Sequence, residues 1–543
     1  MIDPPSAWLG RIPPIRSEVH FDGRVVRCFA TRPRSAYALL GQTATANPQG
    51  EAIVCGDARL TYRDLERLVE CVATGLAARG IGPGDRVALL LGNDIAFPVV
   101  LFAALRLGAI AVPIGIREQT PGLAYMLAHC GAKALVHDTE LADRLPGASA
   151  TPALRHRIAV SPGTANGGLD AHFGSCSDGA APPPAAVDEE DTAIILYTSG
   201  TTGRPKGAML THLGITHSAM HYRICMGLTE KDRAVLTLPM SHVTGVVASI
   251  AAVVHAGGTL IVMRNFKAAD FLAVAERERM TQTLLVPAMY NLCLLEPGFE
   301  STDLSAWRLG GFGGAPMATA TIERLAQKLP RLQLMNAYGA TETTSPATMM
   351  PPAETAARRD SVGCAVPCGE VLVMDDAGRE VPRGAEGEIW LRGPMVVSGY
   401  WNDPEATREH FVAGFWRSGD IGSVDAEGYV RVFDRKKDMI NRGGYKIYTI
   451  EVENALMAHP EVAEAAVIAR PCPVLGERTH AVVCPKRAGV AAEELMRHCG
   501  AALADYKVPD TFTFRTDPLP RNANGKVLKR QLRDEVLALG NSP

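Results

Sequence analysis

Short, wholly apolar runs alternate with helical patterns through the first two thirds of the chain. Asp85-Arg86-Val87-Ala88-Leu89-Leu90-Leu91 reads as a buried strand, Phe97 to Leu105 as a helix and Ala109 to Ile114 as the next strand. Strand, helix and strand in succession imply a βαβ unit, because parallel strands need a crossover connection. The pattern recurs at Ala134-Leu135-Val136, Ile194-Ile195-Leu196, Thr259 to Val262 and Thr283 to Val286. An α/β body of parallel or mixed sheets flanked by helices is expected.

From about residue 370 the runs shorten and Gly turns separate them, as in Gly387 to Gly393 and Gly428 to Val432, which predicts a β subdomain over about 370–436. Residues 437–543 alternate helices and strands again and read as a small α+β domain, leaving 1–436 as the large one. A chain of 543 residues exceeds what one hydrophobic core usually organises, which agrees with two units. The first 35 or so residues, rich in Pro and Arg without periodicity, read as a lead-in arm. The Gly-, Ala-, Ser- and Pro-rich stretch 162–187 reads as a surface linker inside the body.

Composition narrows the function classes. With 47% hydrophobic residues, 21% charged and a net charge of -3, the chain has the profile of a soluble globular protein. Arg435-Lys436-Lys437 is short and bordered by acids, so no nucleic-acid partner is expected. The N-terminus lacks a basic and then apolar signal pattern, and Phe97 to Ile114 and Gly245 to Gly258 are interrupted by Arg106 or too short to span a bilayer. A cytoplasmic protein without integral membrane association is expected. The twelve cysteines are scattered, with no partner pair at zinc-site spacing, and predict reduced, mostly buried thiols.

The chemistry begins at Thr198-Ser199-Gly200-Thr201-Thr202-Gly203-Arg204-Pro205-Lys206-Gly207, directly after an apolar strand. Glycines let the backbone approach a polyphosphate, hydroxyls and N–H groups donate to its oxygens, and Lys206 adds a point charge. The Lys follows Pro and precedes Gly, which excludes a Walker A loop. The run Gly310 to Pro316 likewise fails the dinucleotide fingerprint, because Gly-x-Gly-x-x ends on Pro316.

The loop resembles the phosphate signature of the acyl-adenylate-forming (ANL) superfamily, and the resemblance continues in order from about Ser35 to the C-terminus. It is strongest to the acyl-CoA synthetase branch, the aryl- or medium-chain fatty acyl-CoA ligases. Gly313-Gly314-Ala315-Pro316 resembles the adenine-side turn, and Tyr338-Gly339-Ala340-Thr341-Glu342 the motif whose Tyr stacks on adenine, whose Thr contacts the α-phosphate and whose Glu holds Mg²⁺. Asp420, in Ser418-Gly419-Asp420, and Arg435 would then hold the ribose. Asp434 stands where many members have Gly. By the same resemblance Lys437 is the hinge to a mobile lid, and Gly443, Gly444 and Lys446 line the coenzyme A tunnel. Lys526, in Asn524-Gly525-Lys526, would bridge the attacking carboxylate and the α-phosphate.

The family position of the acyl pocket falls on His242, Val243, Gly245, Met289, Gly311, Gly313, Ala337 and Thr344. These small or apolar residues imply a hydrophobic carboxylic acid, aromatic or medium-chain. The resemblance therefore implies an acid–CoA ligase using ATP, Mg²⁺ and coenzyme A; the alternative is an acyl-AMP ligase that passes the acyl group to a carrier protein or an amine. A homodimer is compatible with this reading.

Overall fold

The computed structural model describes residues 8, 10–21, 23–164, 166–173, 181–198, 204–315, 317–521 and 527–540. Two sheets carry the body. The first has six strands in the order Lys206–Thr211, Thr192–Thr198, Ile110–Pro113, Arg86–Leu90, Ala134–Asp138 and His156–Val160, parallel except for its first pair. Arg86–Leu90 and Ile110–Pro113 are almost wholly buried, as strands covered on both faces must be. The covering helix Ala96–Arg106 is buried along its whole length, so its helical period could be read although it has no polar face.

The second sheet has a parallel centre: Glu51–Cys55, Thr259–Val262, Arg233–Leu236, Gln282–Leu285, Leu309–Gly313 and Gln333–Tyr338. It then turns antiparallel through Thr348–Met349 and Gly363–Ala365 into Tyr429–Arg435, Phe415–Val424, Gly387–Arg392 and Glu370–Met374. The β region expected from about residue 370 is thus a hydrogen-bonded continuation of the large sheet. Helix Tyr62–Ala78 starts at a capping box, Thr61 with Asp64, and packs its apolar stripe inward. A third sheet, built from Ile440–Arg442, Tyr445–Ile447, Val462–Cys472, Gly476–Pro485 and Thr511–Phe514, carries helices Thr449–Met457, Ala492–Gly500 and Lys529–Gly540. It is the small sheet of the C-terminal domain.

Two findings depart from the sequence reading. The lead-in stretch contains an antiparallel hairpin, Ile15–His20 with Arg24–Phe29. Buried Arg32 fastens it to the body, donating to Glu18 at 2.8 Å and to Glu189 at 2.7 Å. Among the described residues ten cysteines are free thiols, nine of them buried, whereas Cys71 is disulfide-bonded.

Burial also sets a pH response. It pushes the pKa of His212, His242, His255 and His480 from 6.5 down to about 4, and that of His217 to about 3. The unfolded chain takes up these protons first as pH falls, so stability is lost between about 6.5 and 4. Each such group costs at most about 1.4 kcal/mol per pH unit in that window. Thermal melts should show Tm lower by several degrees at about pH 5 than at about pH 7.5, with little change above about pH 7. A Tm that is flat across this range contradicts the buried-histidine account.

Candidate active site

Of the expected nucleotide residues, Gly313 and Tyr338 lie at the carboxyl ends of neighbouring parallel strands, whereas Asp420 and Arg435 face each other on an antiparallel pair. Strand Leu309–Gly313 leads into Gly314, whose φ of +76° suits glycine, and then Ala315. The neighbouring strand Gln333–Tyr338 leads into Gly339 and a one-turn helix, Thr341–Thr343. Thr192–Thr198 and Lys206–Thr211 form an antiparallel pair, with Thr198 opposite Lys206, that closes the base of the phosphate loop. Ser199, Gly200, Thr201, Thr202, Gly203, Pro316 and Lys526 lie outside the described residues.

Asp420 is the electrostatic centre of this cluster. It is 4% exposed, and its Oδ2 accepts from the Tyr338 hydroxyl at 2.6 Å. Its Oδ1 lies 2.6 Å from Arg435 Nε. The two strands that carry Asp420 and Arg435 place these residues directly opposite each other. Burial raises the Tyr338 phenol well above its ordinary pKa, so it remains a donor. Each carboxylate oxygen keeps a second lone pair for a ribose hydroxyl.

Glu342 is 8% exposed, and its Oε1 accepts from the Tyr400 hydroxyl at 2.9 Å. No donor reaches Oε2 among the described residues, and a hard anionic oxygen held in this way fits Mg²⁺. Tyr400 escaped the sequence reading. It is tied to the phosphate-loop strand: Ala208 and Tyr400 form a β-bridge, Trp401 N donates to Gly207 O at 2.7 Å, and Met209 N donates to Gly399 O at 3.0 Å. The Lys206 ammonium sits 5.2 Å above the Tyr400 ring. Loop base, Tyr400 and Glu342 are therefore one connected unit. The aromatic pair Tyr400-Trp401 just after Gly399, in a stretch without periodicity, was the available signal.

Tyr400→Phe keeps the ring and removes only the hydrogen bond to Glu342. It should lower the adenylation rate about tenfold and leave the acid KM unchanged, since a hydrogen bond to a charged group contributes about 1.5 kcal/mol or more. Initial rates across Mg²⁺ concentrations check this; an unchanged rate would remove Tyr400 from the site.

Two further residues steady the loop base. Tyr125 donates to Pro205 O at 3.2 Å, and His129 Nδ1 lies 2.8 Å from the Tyr197 hydroxyl, one residue before the loop. The Arg204 guanidinium lies over the Tyr125 ring.

On the acyl side the expected wall divides. His242, Val243, Met289, Gly313 and Ala337 are partly exposed and available to an open pocket. Gly245, Gly311 and Thr344 of the expected wall are buried. A Cβ on Gly245 would lie 2.3 Å from Pro239 O and one on Gly311 2.6 Å from Leu284, so these glycines permit close packing. Thr344 is 0% exposed, in left-handed backbone at φ +48°, with its hydroxyl turned toward Gly214. His242 precedes a π-helical segment, Thr244–Ala251, a geometry often found beside functional sites. Its ring is neutral near pH 7 because burial holds its pKa at about 4.

Lys437 is exposed at a turn in which Asp438 N and Met439 N both donate to Arg435 O. Beyond it Gly443, Gly444 and Lys446 are exposed, and a Cβ on Gly444 would meet nothing within 4 Å. Among the described residues no hydrogen bond or ion pair joins this loop to the expected nucleotide residues; Gly443 N donates to Leu475 O and Gly444 N to Asn441 Oδ1. A 450 Å³ cavity between the Ile15–Phe29 hairpin and the β region is lined by none of the site residues. No helix among the described residues is long and apolar enough to cross a membrane.

Comparison with known proteins agrees with this geometry. The family model described as AMP-binding enzyme matches residues 40–401, and the model described as AMP-binding enzyme C-terminal domain matches residues 451–526. A feruloyl-CoA synthase of Amycolatopsis sp. is 37% identical over 491 residues, covering 90% of this chain and 96% of that protein. A long-chain-fatty-acid–CoA ligase of Mycobacterium tuberculosis is 35% identical over 505 residues, covering 92% and 98%. The crystal structure of ATP-bound MatB from Rhodopseudomonas palustris superposes with a TM-score of 0.86 at 31% identity, over 93% of this chain and 99% of that one. With both family models matched and these relatives aligned over nearly their whole length, the chain belongs to the AMP-binding enzyme family, in the acyl-CoA synthetase branch of the acyl-adenylate-forming superfamily.

Proposed function

We propose that this protein is an ATP-dependent acid–CoA ligase acting on a hydrophobic carboxylic acid, aromatic or medium-chain. The observation that carries the nucleotide half is the Tyr338–Asp420–Arg435 arrangement beside Glu342 and Lys206. The relatives named for feruloyl and long-chain fatty acyl substrates support a hydrophobic acid.

A carboxylate is a poor acyl donor because its oxide leaves badly. Attack of a carboxylate oxygen on the α-phosphorus of ATP forms a P–O bond, breaks the bond to the β-phosphate bridge and expels pyrophosphate. Negative charge, and no proton transfer, limits this step, so it calls for cations and hydroxyl donors. Lys206 serves the phosphates, Thr341 the α-phosphate, Asp420 and Arg435 the ribose, and Lys526 the carboxylate as it attacks. Glu342 would hold Mg²⁺, which would supply neutralisation of phosphate charge. In the second step a thiol attacks the acyl carbon and forms the C–S bond, its proton passes to solvent, and the acyl C–O bond breaks so that AMP leaves with that oxygen.

Residues 1–436 then form the adenylating domain and 437–543 a lid that turns at Lys437, bringing Gly443 and Gly444 to the thiol path. His242, Val243, Met289 and Ala337 shape the acyl pocket, with neutral His242 as a wall and no general base. Pyrophosphate exchange across a panel of aryl and fatty acids tests the acid class, and free coenzyme A against holo-carrier protein tests the acceptor. Adenylation without thioester at any coenzyme A concentration would instead favour transfer to a carrier protein or an amine.

A further inference from the structure

A cluster of four polar side chains joins the two sides of the turn at Lys437, outside the residues assigned above. Asp434, 2% exposed, ends its strand just before that turn. Its Oδ1 accepts from Arg435 N at 2.7 Å, and its Oδ2 accepts from both Thr449 N at 2.5 Å and the Thr449 hydroxyl at 2.7 Å. Thr449 is 0% exposed and opens helix Thr449–Met457 of the C-terminal domain. A carboxylate at a helix N-terminus meets unpaired N–H groups and a favourable dipole.

Lys529 completes the cluster. Its ammonium donates to the Thr449 hydroxyl oxygen and lies 2.7 Å from Glu453 Oε1, which also accepts from Val467 N at 2.8 Å. Burial works against its charge, yet Glu453 and Asp434 raise its pKa above the ordinary lysine value. Burial raises both carboxyls too, with Lys529 opposing that shift. Glu453 pairs directly with the ammonium, whereas Asp434 is joined to it through the Thr449 hydroxyl and feels its charge at longer range.

Sequence position gives the cluster its consequence. Lys529 is the third residue after Lys526, and the intervening segment is closed at its base by the Arg521–Val527 bridge and by Leu528 N donating to Pro520 O at 2.8 Å. Asp434 adjoins Arg435, the partner of Asp420. A continuous set of contacts therefore runs from Tyr338 through Asp420, Arg435, Asp434 and Thr449 to Lys529. Glu453, Thr449 and Lys529 all lie beyond Lys437 and move together, whereas Asp434 lies before it. Any rotation at Lys437 must break the bonds from Thr449 to Asp434 and leave that buried carboxylate short of partners.

We infer that Asp434 and Lys529 are positioning residues that latch the lid in its adenylating orientation, by joining the strand end beside Arg435 to the helix starts that support the Lys526 segment. The exposed Gly443–Gly444 loop agrees with that orientation, since the thiol path is not assembled in it. The latch releases once per turnover, and its strength sets the balance of the two half-reactions. This rests on the function proposed above, in which Lys526 adenylates and Lys437 is the hinge.

The test compares full-length wild type with Asp434→Ala, Lys529→Met and Lys529→Arg. Single-turnover formation of acyl-AMP should fall about tenfold in Asp434→Ala and Lys529→Met, the loss of a charge-assisted hydrogen bond, with ATP KM within about twofold of wild type. Thioester formation from supplied acyl-AMP and coenzyme A should be unchanged or faster, and Lys529→Arg should recover most of the adenylation rate. Hydrogen exchange of the ligand-free proteins gives a readout independent of activity: amides at the start of helix Thr449–Met457 should exchange faster in Asp434→Ala and Lys529→Met, while the central strands Leu309–Gly313 and Gln333–Tyr338 stay protected. Equal losses in both half-reactions, or unaltered exchange at that helix start, would overturn the latch. A wild type that adenylates no acid would overturn the functional reading instead, and the exchange comparison would still decide the latch.

Discussion

Lys526→Ala should abolish most adenylation while leaving the fold intact. Removing one preorganised charge from a developing anionic transition state typically lowers the rate about 100- to 1000-fold, and pyrophosphate exchange should fall by that much. Thermal stability should be unchanged, and thioester formation from supplied acyl-AMP should stay within about threefold of wild type, because the second step breaks an acyl–oxygen bond that does not need this cation. A wild-type exchange rate in the variant would show that another group neutralises the α-phosphate. Lys206 would then be the first candidate, since it sits at the loop base above Tyr400.

Asp420→Ala should have a compound effect. The substitution removes the ribose acceptor and leaves the Tyr338 hydroxyl and the Arg435 guanidinium without their 2.6 Å partner. ATP KM should rise about 100-fold, as expected when two hydrogen bonds to a charged group are lost. Stability should drop by about 2 kcal/mol, toward the low end for breaking a buried pair, because water screens the Arg435 side chain, which is 36% exposed. Urea unfolding and ATP saturation curves measure the two parts separately. If Asp420→Asn restored the stability but not the ATP affinity, the carboxylate charge would be assigned to the nucleotide. Wild-type ATP affinity in both variants would exclude Asp420 from the ribose site.

The parallel strands were legible because burial on both faces leaves no alternative to a continuous apolar run: Val87 to Leu91 and Ala109 to Ile114 fall on observed strands within a residue or two. The expected nucleotide residues were legible because they sit in short motifs, Gly313 and Tyr338 at strand ends and Asp420 within a strand, so they needed no knowledge of the third dimension. What was missed depends on partners distant in sequence. Tyr400 donates to Glu342, 58 residues away, and although the Tyr400-Trp401 pair stands out locally, nothing in the sequence names that partner. The Ile15–Phe29 hairpin alternates weakly and is secured by Arg32 to Glu189, 157 residues on. The close packing around Gly245 and Gly311 involves backbone and side-chain atoms that the small residues themselves do not reveal. The residue singled out as a departure, Asp434, is placed at the junction of strand and C-terminal domain, where its two oxygens accept from Arg435 and Thr449.

The central claim, activation of a carboxylate as its adenylate before thioester formation, is tested most directly by following the carboxylate oxygen. An accepted acid carrying heavy oxygen in its carboxylate is incubated with ATP, Mg²⁺ and coenzyme A, and the products are weighed by mass spectrometry. The account predicts one heavy oxygen in AMP for each thioester formed, and none in pyrophosphate. Label in inorganic phosphate together with ADP, or AMP without label, would contradict an acyl-adenylate route.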